Sequence, residues 1–429
     1  MITTVMIIIF VLGYIVIALE HPLKIDKAAS ALIIGGLGWG LFAFTGISQH
    51  DLTHELQHHL VDIAEILFFL LGAMTIVELI DAHDGFSIIT KKITTNKKIY
   101  LIWILSVITF FFSAVLDNLT TSIVMAALLT KLIKDKDDIW MFAGVVILSA
   151  NAGGAWSPIG DITTIMLWIG GQITASNIIT SIFIPSVICA LVPLIYLTFR
   201  LKGDVIRPPN IVLKEHTLNP STTFERKLIF YMGVIGLLFV PFFKTITHLP
   251  PYIGMLLSLG VLWVVTEIIH KSKNNEEKSQ LSVIGVLKKI DVPTIFFFLG
   301  ILLAVGSLQS AGQLDIVATY LDKTFNGDIY IINIIIGLLS SIVDNVPLVA
   351  GAMGMYDIAP IGDFAVNGKF WEFLAYCAGT GGSVLIIGSA AGVAVMGILK
   401  IDFIWYLKNI SLLALMGYLA GAATYIFMQ

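Results

Sequence analysis

Long apolar runs recur from one end of this chain to the other, separated by short charged stretches. Each run has the roughly 20 residues that a helix needs to cross the hydrocarbon core of a bilayer. Charged residues make up 13% of the chain, whereas soluble domains average about a quarter. The sequence therefore predicts an all-α polytopic membrane protein and excludes a soluble globular domain. The expected spans are ten: 3–19, 28–46, 62–81, 139–172, 178–199, 228–243, 252–269, 292–310, 370–400 and 409–428.

Two further apolar segments, 99–133 and 329–356, carry polar residues at their centres, and we interpret them as re-entrant hairpins that enter and leave on one side. Irregular backbone at membrane depth is tolerated where protein or a cavity shields it. With the N-terminus outside, 22 of the 25 Lys and Arg residues fall in inside loops, as the positive-inside rule requires. The exceptions are Lys244, Lys323 and Lys369. Counting either hairpin as a full span would destroy this bias, so both termini are expected outside.

The two halves of the chain resemble each other. Asp117-Asn118 recurs as Asp344-Asn345, 227 residues later, and the Phe-rich stretch 68–72 recurs at 296–300, 228 residues later. The span that begins near residue 62 runs inward, whereas its counterpart near residue 292 runs outward. Residues 1–200 and 228–429, joined by an inside linker at 201–227, are therefore expected to form inverted repeats, an arrangement found in many secondary transporters.

Two of the predicted spans are interrupted by small residues. In SANAGGAWSPIGDITT, residues 149–164, three glycines and Pro158 fall within eight residues, and proline removes a helix hydrogen bond. An unwound centre exposes carbonyl oxygens and two half-helix ends to a cavity. The second half has the matching stretch AGTGGSVLIIGSAAG, residues 378–392, in which Ser389 stands at the position of Asp161.

Hairpin tips and helix breaks are expected to meet near the middle of the membrane. Burying a lone carboxylate there costs several kcal/mol, so charges at this depth usually serve transport. The candidate ion- and proton-binding residues are Asp117, Asn118, Asn151, Ser157, Asp161, Thr163, Thr164, Asp344 and Asn345, supported by Ser113, Ser340, Thr380, Ser383 and Ser389. Such oxygen ligands suit a small hard cation rather than an anion. A structural alternative is that Asp117 and Asp344 cap the second helices of the hairpins, although Asn or Ser would cap without burying a charge.

The paired Asp-Asn hairpins, the DNLTTS motif at 117–122 and the SPIGD break at 157–161 resemble the bacterial NhaD family of sodium/proton antiporters, within the ion transporter superfamily. The resemblance covers nearly the whole chain. It implies exchange of Na⁺ or Li⁺ for H⁺ in a bacterial inner membrane, with neither a cofactor nor a nucleic-acid partner. The Na⁺ ligands are then expected to be Asp117, Asp161, Thr163 and Thr164, with Asp344 as a second coupling residue.

The same resemblance implies an elevator-like motion and a homodimer. In this arrangement a transport domain that bears the hairpins moves against a fixed scaffold. The scaffold is expected in residues 1–60 and 228–290, and most of the transport domain in residues 61–200 and 291–429.

Other functions stay open from the sequence. Arsenite and dicarboxylate carriers share the expected fold, although acidic hairpin tips oppose a dicarboxylate. THELQH, residues 53–58, matches the H-E-x-x-H motif of zinc proteases, with Glu78 as a possible third ligand. On a straight helix the 20 residues between His58 and Glu78 span about 30 Å, so an amphipathic surface helix is the favoured interpretation. Its exposed histidines would be His50, His54, His58 and His59. Cys189 and Cys377 lie in apolar segments and indicate no disulfide framework.

Overall fold

The computed structural model describes residues 2–18, 20–90, 93–208 and 220–429, and its regular elements there are helices. Residues 209–219 of the predicted linker lie outside this part. The helices are α1 Ile2–Ala18, α2 Glu20–Leu23, α3 Lys27–Phe42, α4 Gln49–Ala82, α5 Ser87–Thr90, α6 Lys98–Leu116, α7 Asn118–Leu132, α8 Lys136–Ala155, α9 Ile162–Ile169, α10 Ala175–Arg200, α11 Thr223–Thr247, α12 Pro251–Ile269, α13 Asn275–Leu281, α14 Val283–Leu287, α15 Val292–Ser310, α16 Gln313–Phe325, α17 Ile329–Leu339, α18 Asn345–Met355, α19 Lys369–Gly381, α20 Ala390–Leu399, α21 Phe403–Asn409 and α22 Ser411–Met428.

Nine of the described helices are long and apolar enough to cross a membrane: α3, α4, α6, α8, α10, α11, α12, α15 and α22. A tenth is reached if α20 and α21, which meet at a bend of 117°, count as one span. The predicted all-α polytopic class is therefore confirmed. The set differs from the ten predicted spans in three respects. Helix α6 is long enough to span although the sequence assigned it to a hairpin, and α1, at the predicted span 3–19, is one of the shorter apolar helices. The predicted span 370–400 consists of α19 and α20, two short helices separated by a break.

The segment α6–α7 nevertheless begins and ends on the same side of the molecule. At its start, Lys98 N donates to Gly203 O at 3.1 Å, and just after its end Lys134 N donates to Ile206 O at 2.8 Å. The chain reverses at Asp117, whose φ of 78° lies outside the helical region and ends α6. Because both ends bond to residues 203–206, the segment is a hairpin with its tip at Asp117.

The second hairpin consists of α17 and α18, with 11 residues each, which is too short for a helix to cross the bilayer. Tyr356, directly after α18, donates from its hydroxyl to Asp322 Oδ1 at 3.0 Å. Asp322 lies in α16, shortly before α17 begins. The two ends of this hairpin therefore also lie on one side, and its tip is at residues 340–344.

Helix α10 connects the sides on which the two hairpins are based. Before its start, Thr174 N donates to Asn367 Oδ1 at 2.7 Å, in the loop that follows the second hairpin. It then runs for 26 residues, about 39 Å at 1.5 Å per residue, and ends at Arg200 beside the base of the first hairpin. The two hairpin bases thus lie at opposite ends of α10.

Each hairpin packs closely against a broken helix through glycine. A Cβ atom on Gly153 of α8 would collide with the Phe110 carbonyl of α6. A Cβ atom on Gly381 of α19 would collide in the same way with the Gly337 carbonyl of α17. The members of the second pair follow those of the first by 228 and 227 residues. The duplication seen in the sequence is thus accompanied by matching backbone contacts.

A further group of helices that pack together consists of α3, α4, α12 and α15. A Cβ on Gly35 of α3 would lie 2.6 Å from the Gly300 carbonyl of α15, and one on Gly72 of α4 would lie 2.7 Å from Met255 of α12. Helices α4 and α15, which the sequence assigned to the transport domain, therefore contact α3 and α12 of the expected scaffold.

The H-E-x-x-H stretch lies at one end of a long membrane helix. Helix α4 runs unbroken for 34 residues from Gln49 to Ala82, because this segment contains no proline and a single glycine. The predicted surface helix is therefore continuous with the next span, and about 30 Å of straight helix separates His58 from Glu78. Within the described residues, no group of three or more His, Cys, Asp or Glu side chains could hold a metal ion.

Sidedness can be tested with one cysteine on each face. Lys202, beside the first hairpin base, and Ile361, in the loop after the second hairpin, are both exposed. We expect an impermeant maleimide to label Ile361→Cys in intact cells and Lys202→Cys only after the membrane is opened, since the Lys/Arg bias puts residues 200–208 inside. The native Cys189 and Cys377 are buried and give a low background. Labelling of Lys202→Cys from outside intact cells would contradict this topology.

Candidate ion-binding site

Asp161 lies at the centre of the candidate site, is 1% exposed and forms the N-cap of α9. The break before α9 leaves the first amides of this helix without helical partners. Asp161 Oδ1 accepts from Thr163 N at 2.8 Å and from Thr163 Oγ1 at 2.7 Å. Thr164 Oγ1 donates to the Asp161 carbonyl oxygen at 2.8 Å. These bonds fix the orientation of a buried carboxylate at the break.

Both hairpin tips reach this carboxylate through their asparagines. Asn118 Nδ2 donates to Asp161 Oδ2 at 2.5 Å, and Asn345 Nδ2 donates to Asp161 Oδ1 at 3.4 Å. Both asparagines are buried and form the first residues of α7 and α18. The tips and the first break therefore meet as the sequence predicts, and the contacts are made by the asparagines rather than by the aspartates.

Asn151 of α8 connects the first break to the second. Its Oδ1 accepts from Asn118 Nδ2 at 3.0 Å, and its Nδ2 donates to Ser383 Oγ at 2.8 Å and to Ser389 Oγ at 2.9 Å. Ser389 caps α20 by accepting from Gly392 N, as Asp161 caps α9. The two breaks thus share a geometry but differ in charge, because a serine replaces the carboxylate.

The aspartates of the two tips have other partners. Asp117 caps α7 and accepts from Thr120 N at 2.7 Å and from Thr120 Oγ1 at 2.8 Å. Asp344 caps α18 through a longer bond from Val346 N, at 3.3 Å, and forms an ion pair with Lys27 Nζ at 3.3 Å. The capping geometry considered for these residues is present at both tips. Unlike Asp161, both are only partly buried.

The remaining predicted hydroxyls connect the hairpins to the broken helices. Ser113 Oγ donates to Ala150 O at 2.5 Å, and Ser340 Oγ donates to Ala378 O at 2.9 Å, a matching bond in the second half. The hydroxyl of Ser157 likewise donates to the Ala114 carbonyl of α6. The hydroxyl of Thr380 is the exception, because it donates within its own helix, to Tyr376 O. A hydroxyl oxygen that donates its proton still has lone pairs for a cation, so these residues combine a structural bond with ligand capacity.

Sequence reasoning did not select several residues at this site. Lys27 was counted only as an inside-loop charge, although it contacts Asp344. The hydroxyls of Thr121 and Ser122, one turn beyond the first tip, are buried without a hydrogen-bond partner in the described part of the chain. Gly379 faces the carboxylate, since a Cβ placed on it would lie in van der Waals contact with Asp161 Oδ2, at 3.7 Å. Thr121 and Ser122 belong to the DNLTTS motif and could have been selected from it. Nothing in the sequence pattern marked Lys27 or Gly379.

Cavities approach this region from two directions. One of about 650 Å³ lies between α4 and α15 on one wall and the C-terminal ends of α9 and α18 on the other, where Glu65, Met166 and Met353 line it. A second, of about 180 Å³, is lined by Lys27, Leu119 and Ala394. It lies beside the N-terminal ends of α7 and α20. Asp161 and the tip asparagines are therefore situated between the two openings.

Comparison with known proteins agrees with these features. A family model described as CitMHS, citrate transporter, matches residues 5–372. Over 98% of its length the chain is 45% identical to sodium/proton antiporter 1 of Arabidopsis thaliana, of which it covers 72%, and 44% identical to sodium/proton antiporter 2 of the same plant, of which it covers 98%. It is 30% identical to the Na⁺/H⁺ antiporter NhaD of Vibrio cholerae, with 98% of this chain and 91% of that one covered. The chain is thus a multi-pass membrane transporter rather than an enzyme, and it belongs to the NhaD-type sodium/proton antiporter family.

Proposed function

We propose that this chain exchanges Na⁺ or Li⁺ for H⁺ across the membrane and that the two ions bind in turn at Asp161. The observation that carries the proposal is a carboxylate, 1% exposed, that receives the asparagine of each hairpin tip. The names of the relatives, sodium/proton antiporters of a plant and of a bacterium, support the identity of the two ions.

The side chains around Asp161 can form a ligand set for a hard cation. The carboxylate supplies the charge, and Thr163 and Thr164 supply hydroxyl oxygens within the same turn. Asn118 and Asn345 now direct their amide nitrogens at the carboxylate, and rotation of either carboxamide replaces the nitrogen by an oxygen ligand. Carboxylate, hydroxyl and carbonyl oxygens are the ligands that small hard cations prefer. The same residues can thus hydrogen-bond the site in one state and coordinate Na⁺ in another.

A citrate or dicarboxylate substrate is disfavoured at this position. The family model carries the description citrate transporter, but an anion between the two tips would lie against the buried Asp161 carboxylate. Like charges in a poorly solvated site repel strongly. The first break and both tips also bring three carboxylates, Asp117, Asp161 and Asp344, to a region where an anion carrier needs donors.

Exchange follows if Na⁺ and H⁺ compete for one carboxylate. Either ion neutralises Asp161, and an occupied neutral site passes the apolar surroundings more easily than a bare buried charge. The site then becomes accessible from the opposite side of the membrane when Na⁺ or H⁺ occupies it, and it does not change its access when it is empty. Uptake of one ion is thereby coupled to release of the other, without a nucleotide or other cofactor.

The remaining parts of the mechanism belong to the same proposal. The hairpin bases at opposite ends of α10 and the matching glycine contacts support inverted repeats, and the cavities on two sides of Asp161 support alternating access. We propose an elevator-like motion of the hairpin-bearing part, a homodimer, and an orientation in the cytoplasmic membrane with both termini outside. Asp117 is proposed to assist at the first tip, where it orients Thr120 and the start of α7.

Replacing the central carboxylate tests the proposed carrier. Asp161→Asn keeps the size and much of the hydrogen bonding but removes the charge, so exchange should be lost while the protein still inserts and folds, since a buried charge is removed rather than created. The measurement is collapse of a pH gradient in everted vesicles after Na⁺ or Li⁺ is added. Asp363→Asn, at an exposed loop position, is the matched control. Near-normal exchange by Asp161→Asn would show that another residue carries the ion.

Competition also determines how Na⁺ affinity varies with pH. A proton on Asp161 excludes Na⁺, so raising the pH removes the competitor and should lower the apparent KM for Na⁺ until the carboxylate is fully ionised. The expected result is a KM that falls with pH and then becomes constant, measured in proteoliposomes at fixed ionic strength. A KM for Na⁺ that does not change with pH while the maximal rate does would contradict a shared site.

Thr163 separates the role of a ligand from that of the charge. Thr163→Ala removes the hydroxyl that lies 2.7 Å from Asp161 Oδ1, and loss of one such oxygen costs about 1 kcal/mol, or about a fivefold higher KM for Na⁺. Thr163→Ser retains the hydroxyl and should stay near the wild-type value. Equal KM values for the Ala and Ser variants would exclude the hydroxyl as a ligand.

A further inference from the structure

At the second hairpin tip, Asp344 forms an ion pair with Lys27 of a distant helix. At the first tip, Asp117 is bonded by Thr120 of the helix that follows it. Lys27 Nζ lies 3.3 Å from Asp344 Oδ2, and the two side chains are 18% and 12% exposed. The same ammonium lies 4.3 Å from the centre of the Phe297 ring, a cation–π distance. Two contacts from different parts of the chain therefore hold this lysine in a largely desolvated place.

A difference between the halves explains why Asp344 recruits a lysine. At the first tip, Thr120 satisfies Asp117 with both its amide and its hydroxyl. The residue at the matching place after Asp344 is Pro347, which has neither an N–H nor a hydroxyl. Asp344 is left with one long bond from Val346 N, at 3.3 Å. Its remaining acceptor capacity is met by Lys27.

The lysine is likewise specific to one half. In the order of elements, α3 of the first half corresponds to α12 of the second, and each precedes the long helix that leads to a hairpin. Helix α3 begins with Lys27, whereas α12 begins with Pro251 and Tyr252. The charge pair is thus a departure from the repeat and not an inherited part of it.

The pair connects two groups of helices that also contact each other where α15 packs against α18. Lys27 and Phe297 lie on α3 and α15, whose backbones touch where Gly300 meets Ala31. Asp344 lies at the tip of a hairpin that is bonded to α19 through Ser340 and Ala378. An ion pair between these groups holds them in one relative position, and it must open if the hairpin moves against α3 and α15.

Space beside the pair permits such separation. A cavity of about 40 Å³ is lined by Tyr14, Lys27 and Asp344, which is room for a water molecule. The Tyr14 hydroxyl is buried and has no hydrogen-bond partner among the described residues. The pair is therefore not enclosed by tight apolar packing, and polar groups are available when the two charges part.

Resting on the proposed function, we propose that Lys27 is a positioning residue of the exchange cycle, the tethered counter-cation of Asp344 that holds the second hairpin in the conformation seen here. In this conformation the charge of Asp344 is met by the protein itself, and Asp161 is left to bind the mobile ion. In this conformation the cavity beside Met353 has a volume of about 650 Å³, and the cavity beside Ala394 has a volume of about 180 Å³. Release of Lys27 accompanies the change of access.

Kinetics of charge variants test this role. Lys27→Met leaves Asp344 unpaired, and we expect the maximal rate to fall about tenfold while the KM for Na⁺ changes less than about threefold, because Asp161 is untouched. Lys27→Arg should retain most of the rate. Lys24→Met, an exposed neighbour, is the matched control. A wild-type rate for Lys27→Met, or a KM that rises while the rate is kept, would overturn the proposal.

Chemical rescue tests whether a variant at Lys27 is slow because it lacks the positive charge or because it is misfolded. Lys27→Cys should be slow, and 2-aminoethyl methanethiosulfonate, which restores an ammonium on a chain of similar length, should return activity. Methyl methanethiosulfonate, which adds no charge, should not. The native Cys189 and Cys377 are buried, and both reagents are also applied to the wild type. Equal recovery with both reagents, or with neither in a monodisperse protein, would overturn the role of the charge.

A conformational measurement tests the same inference without transport. Met353→Cys reports on the larger cavity and Ala394→Cys on the smaller, and both side chains are half-buried. Adding Lys27→Met should slow maleimide labelling at 353 and speed it at 394, because the ion pair that stabilises the conformation seen here is lost. Unchanged labelling at both positions would overturn the proposal. If the wild type fails to exchange Na⁺ for H⁺, the proposed function falls, and this labelling still decides the role of Lys27.

Discussion

The Asp161 carboxylate is 1% exposed in the middle of a membrane protein, and a charge withdrawn from water in this way must be met by polar groups of the protein. The structure supplies them from three sources. A broken helix offers the free amide and hydroxyl of Thr163, and each re-entrant hairpin offers an asparagine. Removing the break or either hairpin would leave the carboxylate with too few donors. The irregular elements of this fold are thus connected through one carboxylate.

The close approach of these elements depends on residues without side chains. Gly153 and Gly381 let the broken helices touch hairpin carbonyls directly. A backbone-to-backbone contact has no side chain that can adopt another rotamer, so it adapts poorly to movement. The hairpins and broken helices are therefore expected to move as units rather than to deform individually.

Much of this architecture could be predicted from the sequence because its causes are local. Apolar runs of spanning length, the Lys/Arg bias and the glycine-proline break predict the all-α polytopic class, the hairpins and the interruption before Asp161. The network between elements could not be predicted, because it depends on which atom of a motif faces inward. The sequence favoured three converging aspartates, whereas the structure turns Asn118 and Asn345 toward Asp161 and leaves Asp117 and Asp344 as caps. Lys27 was hidden for a different reason, since its partner is 317 residues away.

The length of α4 exceeds the thickness of the hydrocarbon core. Its 34 residues form a rod of about 51 Å, whereas the hydrocarbon core is about 30 Å thick. The helix therefore extends well beyond one interface, and the charged stretch around His54 and Glu55 is the part that does so. The larger cavity is lined by this protruding end together with residues deeper in the same helix, such as Glu65 and Ile66. A change in membrane thickness moves the interface along this end of α4, and we therefore expect the wall of the access route to respond to the surrounding lipids.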